Sequence, residues 1–307
     1  MSALIVDKVD ETLKERLERI GIKVDLVPGI SKDDLIKIIK NYNILIFRGR
    51  LKIDKDIMDA GQNLKILARY GVGLDNVDVE YAVKKGIAVV SAPNAPSQSV
   101  AELTIGLLFS VARRIPLLNA KVKAGEWPKG KYIGIEIAGK TMGIVGFGRI
   151  GRLVAQMAKS LGMNILASDV IDVSKEVAKI GGRQVPLEEL LRQSDVVTIH
   201  VPLTPETYHL LNAERLSLLK DGAIIINTSR GEVIDHEALL KHLDRLWGVG
   251  LDVLPEEPPK SHYLRQLIAH EKVVVTPHVG SETKEAMTRL AEELAANIEE
   301  VIQRIRL

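Results

Sequence analysis

Residues 139–170 read GKTMGIVGFGRIGRLVAQMAKSLGMNILASDV, and this stretch decides the fold. An apolar run at 141–145 ends in Gly146-Phe-Gly148-Arg-Ile-Gly151, which opens directly into a helical pattern. That order, strand then glycine turn then helix, makes a common spacing informative for a dinucleotide. Gly146 permits the tight turn, Gly148 lets the backbone approach a pyrophosphate, and Gly151 lets the helix pack against the strand. The helix start supplies unpaired N–H groups and partial positive charge to the phosphates. Asp169, 18 residues after Gly151, ends the following strand, where a carboxylate can accept hydrogen bonds from ribose hydroxyls. It favours NAD, because it repels the extra phosphate of NADP and neither Val170 nor Ile171 offers an arginine in compensation. The competing structural readings are a glycine turn used only for packing and a surface aspartate at a strand end.

Outward from this turn, short β-branched runs alternate with stretches whose apolar residues recur every three or four positions. The pattern is that of parallel strands joined by crossover helices. Strands are predicted at 3–6, 23–26, 44–47, 66–69 and 88–90, with helices such as 11–20 and 32–42 between them. A second series follows 141–145 at 164–168, 196–200, 223–227, 248–252 and 273–276. Between the series, SAPNAPSQSVAELTIGLLFSVARR (91–114) reads as a turn-rich link and a helix with Val100, Leu103, Leu107, Leu108 and Val111 on one face. From 282 to 306, Met287, Leu290, Leu294, Ile298, Val301 and Ile305 mark a long amphipathic helix, expected to return to the first unit. The expected fold is α/β, two doubly wound parallel-sheet domains: 1–97 plus 282–307, interrupted by 98–281, with a site expected in the cleft.

Composition agrees with two globular domains and excludes several function classes. The 307 residues are 46% apolar and 27% charged, with 24 Gly and 12 Pro, enough apolar content for sizeable cores and against disorder or a collagen-like repeat. Forty-two basic residues balance 40 acidic ones, so no overall field points to nucleic acid or an acidic membrane as partner. With no cysteine, disulfides, thiolate metal sites, iron–sulfur clusters and cysteine nucleophiles are excluded, and no metal site is expected. The N-terminus lacks the features of a signal peptide, and the uncharged apolar run 103–112 is about half the roughly 18 residues of a membrane span. A cytoplasmic protein is expected. Abundant Ile, Lys and Glu fit a heat-adapted composition.

Ordered motifs along nearly the whole chain resemble the NAD-dependent D-isomer-specific 2-hydroxyacid dehydrogenases: ARYGVGLDNVD (68–78), the glycine turn, HVPLTPET (200–207), INTSRGEVID (226–235), GLDVLPEEPP (250–259) and TPHVGSET (276–283). The resemblance implies a Rossmann NAD-binding domain inserted into a flavodoxin-like substrate domain, and a homodimer joined through the nucleotide domains. It implies Arg230, Glu257 and His278 as the catalytic trio. A guanidinium at Arg230 can grip a substrate carboxylate with paired hydrogen bonds. His278 can exchange the hydroxyl proton, and Glu257 would hold its ring and raise its pKa. Adjacent Glu256 is the rival for that last role, because only the family's Glu-Pro step selects Glu257. The resemblance also implies cofactor contacts at Val72, Arg149, Ile150, His200, Val201, Pro202, Thr228, Ser229, Asp252, Gly280 and Ser281, with Asp252 facing the nicotinamide carboxamide. The segment 236–250 is slightly shorter than the family pattern, which implies a tightened helix-to-strand turn.

Within the family the likeness is nearest to phosphoglycerate dehydrogenases, in a short form without the C-terminal regulatory domain that some carry. It implies oxidation of 3-phosphoglycerate. Arg48 and Arg50 after the third strand, Arg69 at the end of the fourth, and Val72 and Gly73 beyond it are the expected substrate contacts, with Lys129 and Lys131 as further cations. A substrate with both carboxylate and phosphate needs more cationic contacts than lactate or glyoxylate does. Solvated surface charge is the competing reading. Other functions kept open are a glyoxylate or hydroxypyruvate reductase, another D-2-hydroxyacid dehydrogenase, and an NAD-sensing corepressor that binds a partner peptide.

Overall fold

The computed structural model describes residues 1–306; the side chain of Ile305, predicted on the terminal apolar stripe, lies with Leu307 outside the described residues. The chain divides into two compact units, Met1–Ser97 with the chain from Ser281 on, and Gln98–Gly280. Each is a parallel sheet covered by helices.

In the first unit the strands are β1 (Ser2–Ile5), β2 (Lys23–Leu26), β3 (Ile44–Phe47), β4 (Ile66–Arg69) and β5 (Ala88–Ser91), ordered β2-β1-β3-β4-β5 and parallel throughout. Central β3 reads ILIF and is buried at every position, as a strand covered on both faces requires. The strand order reverses between β1 and β3, which opens a crevice at their carboxyl ends. The terminal helix Lys284–Arg306 starts at Thr283, whose Oγ accepts from Ala286 N–H at 3.1 Å. Its Leu290, Leu294, Ile298 and Ile302 pack in the same cluster as Leu13 and Leu17 of helix Glu11–Arg19, and Arg16 pairs with Glu292 at 2.6 Å.

In the second unit the strands are β6 (Thr141–Val145), β7 (Asn164–Ser168), β8 (Arg183–Gln184), β9 (Val196–Ile199), β10 (Ile224–Asn227), β11 (Gly248–Leu251) and β12 (Val273–Val275). Their order is β12-β11-β10-β9-β6-β7-β8, again all parallel. This is the doubly wound nucleotide-binding order with one strand added, and its switch point falls between β6 and β9. The two-residue edge strand β8 is absent from the sequence expectation, because a charged and an amide residue give no β signal and only pairing with β7 makes it a strand. Strands β9, β11 and β12 stop one residue earlier than predicted. His200, Asp252 and Thr276 instead begin the loops beyond the strand ends. The short 236–250 segment forms helix His236–His242 followed at once by a 3₁₀ turn, Leu243–Arg245, which delivers the chain into β11.

Candidate active site

The glycine turn is built by close approach. Gly146 has φ +89°, and a Cβ there would stand 2.9 Å from the His200 carbonyl; a Cβ on Gly151 would stand 2.2 Å from the Gly146 oxygen. At Gly148 the same position opens on empty space, so the turn is tight below and clear above. Helix Arg149–Ser160 begins there with no side-chain cap, which leaves its first N–H groups for an anion. Arg149 is exposed and Ile150 half-buried in this first turn. Asp169 accepts from Phe147 N–H at 2.7 Å and from Ile171 N–H at 3.2 Å, so it also fixes the loop. Carboxylate oxygens retain lone pairs for further donors, and these residues fit a dinucleotide. At the next strand end, Val201 covers Gly146, and Pro202 O accepts from Thr207 Oγ at 2.6 Å. The His200 ring lies 2.9 Å from Thr198 Oγ, and burial holds its pKa down to about 3, so the ring is neutral.

Beyond β10, β11 and β12 the chain brings together a second set of groups. His278 Nδ1 lies 2.8 Å from Glu257 Oε2, and Glu257 Oε1 accepts from Leu254 N–H at 3.0 Å. The bond to Glu257 raises the pKa of His278 above the ordinary 6.5, against desolvation. Burial pushes Glu257 up, but the bonds from His278 and Leu254 outweigh it, and its pKa is lowered from 4.5. Glu256, the rival by sequence, accepts instead from Lys260 and Ser261 N–H, both at 2.8 Å, at the start of helix His262–Ile268.

His278 itself has φ +55°, a left-handed conformation that costs a non-glycine residue about 1 kcal/mol or more. Asp252 holds that turn. Its main-chain oxygen accepts from His278 N–H at 2.9 Å, while its buried carboxylate takes Thr276 Oγ at 2.6 Å and the Val279 and Gly280 N–H groups at 2.9 Å. Burial raises the pKa of Asp252 against these donors. Arg230 follows β10 in a turn shaped by fully buried Asn227, which accepts from Ser229 N–H and Oγ and donates to Arg230 O at 2.8 Å. The Arg230 guanidinium is close enough to act electrostatically on both Glu257 and His278. Asn227 lies outside the sequence expectation, although its place between an apolar strand and TSRG marks a turn-forming amide.

In the first unit, Asp7 is buried at the β1–β3 switch point and organises the arginines: it accepts from Arg48 N–H at 2.7 Å and from Arg50 Nε at 2.9 Å. Arg48 also pairs with Glu282 at 3.1 Å. Arg69 Nη2 lies 3.5 Å from where a Cβ on Gly49 would stand, and its Nε donates to Gly73 O at 3.0 Å. Val72, at the tip of this loop, is 42% exposed. Ser281 is the first residue after the second unit. Lys129 and Lys131 are exposed in a stretch without regular structure.

A strand order that reverses beside a glycine turn, with a carboxylate just beyond the next strand, is the arrangement of a dinucleotide-binding protein, and a histidine–carboxylate pair near an arginine is one that can exchange a proton. Residues 105–280 match the family model "D-isomer specific 2-hydroxyacid dehydrogenase, NAD binding domain". The chain is 41% identical over 304 residues to a D-3-phosphoglycerate dehydrogenase of Methanocaldococcus jannaschii, covering 98% of this chain and 57% of that protein. It is 43% identical over 271 residues to a hydroxypyruvate reductase of Thermotoga maritima, covering 88% of each. A solved D-lactate dehydrogenase from Aquifex aeolicus, complexed with NAD and lactic acid, superposes with a TM-score of 0.84 at 28% identity over 98% of this chain and 95% of that one. The chain belongs to the D-isomer-specific 2-hydroxyacid dehydrogenase family, and residues 105–280 lie in its NAD-binding domain. It spans little more than half the length of the phosphoglycerate dehydrogenase it matches.

Proposed function

We propose that this chain interconverts a 2-hydroxy acid and its 2-oxo acid with NAD, and that 3-phosphoglycerate is the acid it oxidises. The observation that carries the catalytic reading is the 2.8 Å bond between His278 and Glu257. It occupies Nδ1 and leaves Nε2 as the nitrogen for a substrate proton. In oxidation Nε2 takes the hydroxyl proton as the carbonyl forms, and Glu257 stabilises the resulting imidazolium. In reduction the imidazolium returns that proton. NAD, when bound, supplies the hydride acceptor, or the donor in reverse. Arg230 grips the substrate carboxylate. The helix start at Gly148–Ile150 holds phosphates, Asp169 accepts from ribose hydroxyls, and Asp252 accepts from the carboxamide.

For the substrate phosphate, the supporting observation is the gathering of Arg48, Arg50 and Arg69 around Gly49 at a strand-order reversal. Hydroxypyruvate reduction is the second reading, favoured by the relative that this chain matches over 88% of both lengths. Initial rates with NADH against phosphohydroxypyruvate, hydroxypyruvate, glyoxylate and pyruvate separate the two. The highest kcat/KM is expected on phosphohydroxypyruvate, and efficient use of hydroxypyruvate without the phosphorylated acid would favour the second reading.

We also infer a homodimer joined through the second unit. Ile115, Val122, Trp127 and Ile133 are 50%, 46%, 79% and 75% exposed along one stretch, more large apolar surface than an isolated surface needs.

A further inference from the structure

Two buried hydroxyls on helix Ser97–Ala112 have no part in the function proposed above. Ser99, 4% exposed, donates from Oγ to Gly280 O at 2.6 Å. Thr104, fully buried, has its Oγ 3.0 Å from Thr228 Oγ. Proton accounting gives the direction of this second bond. The single hydroxyl hydrogen of Thr104 goes to the Val100 carbonyl at 2.8 Å, which can only accept, so Thr228 donates to Thr104.

Each partner sits two residues from a group in the proposed chemistry. Gly280 lies two residues after His278, and with its N–H on Asp252 and its carbonyl on Ser99 both of its main-chain polar groups are held. Val100 closes the remaining side, 3.2 Å from where a Cβ on Gly280 would stand. Thr228 lies two residues before Arg230, in the turn that Asn227 also holds through Ser229 N–H and Arg230 O. Neither hydroxyl is needed to make the helix. A threonine in the apolar stripe costs desolvation unless its hydroxyl is paired, and a valine would fill the same volume.

We propose that Ser99 and Thr104 are positioning residues that brace the two catalytic turns from one helix, Ser99 the His278 turn and Thr104 the Arg230 turn. The proposal rests on the roles given above to His278 and Arg230. Displacement of about 1 Å at a reacting group lowers rates by up to about 100-fold, so such bracing has a measurable consequence. The charged groups acting on His278 are Glu257, Asp252 and Arg230, and the Ser99 bond keeps the imidazole in register with the first two.

The test is an NMR titration of the His278 imidazole in the free protein, paired with steady-state kinetics, for wild type, Ser99→Ala, Thr104→Val, Thr104→Ser and Leu107→Ala. The last packs the same helix against Gly250 without a bond to either turn. Ser99→Ala lowers the His278 pKa. Thr104→Val leaves that titration in place and raises KM for the 2-oxo acid about 10-fold with kcat nearly unchanged, and Thr104→Ser restores KM. Leu107→Ala lowers Tm alone. A folded Ser99→Ala protein with the wild-type titration, or Thr104→Val with the wild-type KM, overturns the proposal, as does Leu107→Ala if it reproduces both changes. A wild-type protein that reduces no 2-oxo acid overturns the proposed function and the Thr104 assignment with it, while the titration still decides Ser99 without turnover.

Discussion

At the scale of single residues, the decisive contrast is between neighbours. Glu256 and Glu257 are chemically identical, yet one caps a loop and the other holds a histidine. The difference has a pH signature. In the proposed reaction reduction requires protonated His278, so its rate is expected to fall as pH rises through the raised pKa, while oxidation gains over the same range. Glu257→Gln removes the interaction that raises that pKa. The midpoint of the pH–rate profile for reduction therefore moves to lower pH, and an unmoved midpoint would contradict the pairing. The same shifts set stability. His278 contributes fully below its unfolded value near 6.5 and loses the contribution as pH rises through the folded value. Glu257 contributes above about 4.5 and loses it as pH falls through its lowered value. With side chains 49% and 39% exposed, the pair adds at most about 1 kcal/mol, so its importance lies in protonation and not in holding the fold.

At the scale of elements, the glycine turn makes the strongest structural demand. Gly151→Ala drives a Cβ against the Gly146 carbonyl, and that backbone cannot move without lifting the helix from β6. The expected result is a loss of about 1–3 kcal/mol in denaturant unfolding together with weakened NADH binding by fluorescence titration. Wild-type binding in that variant would show that the turn is not the phosphate cradle. This element was legible in the sequence because strand, turn and helix signals are all local. So were the central strands, whose short buried runs ILIF (44–47) and VVTI (196–199) are rich in β-branched and apolar residues. The strand β8 was not, since Arg183 and Gln184 become a strand only beside β7. Nor were the distant supports of the site. Asn227 works on its own turn, two and three residues on, and its place before TSRG is a local mark of it, whereas Ser99 and Thr104 act through partners 181 and 124 residues away that their local sequence does not name. Thr104 leaves one trace, a polar residue four positions after Val100 on an otherwise apolar stripe.

At the scale of the whole molecule, no helix among the described residues is long and apolar enough to cross a membrane. Ile115, Val122, Trp127 and Ile133 are large apolar side chains left exposed along one stretch of the second unit. Sedimentation equilibrium is expected to give twice the 33.8 kDa chain mass, and Trp127→Glu to shift the equilibrium toward the monomer. A monomeric wild type would contradict the dimer. The near balance of 42 basic and 40 acidic residues conceals local order: Arg48, Arg50 and Arg69 are collected at one strand-order reversal, and Arg230 stands beside the histidine pair. The proposed chemistry stands or falls with His278 as the group that moves the proton. The measurement is the rate of NADH oxidation with phosphohydroxypyruvate and hydroxypyruvate, for wild type and His278→Ala at matched thermal stability. A fall of about 100-fold to 10,000-fold in kcat, with NADH binding retained, is the predicted result, and a His278→Ala protein as active as wild type would contradict it.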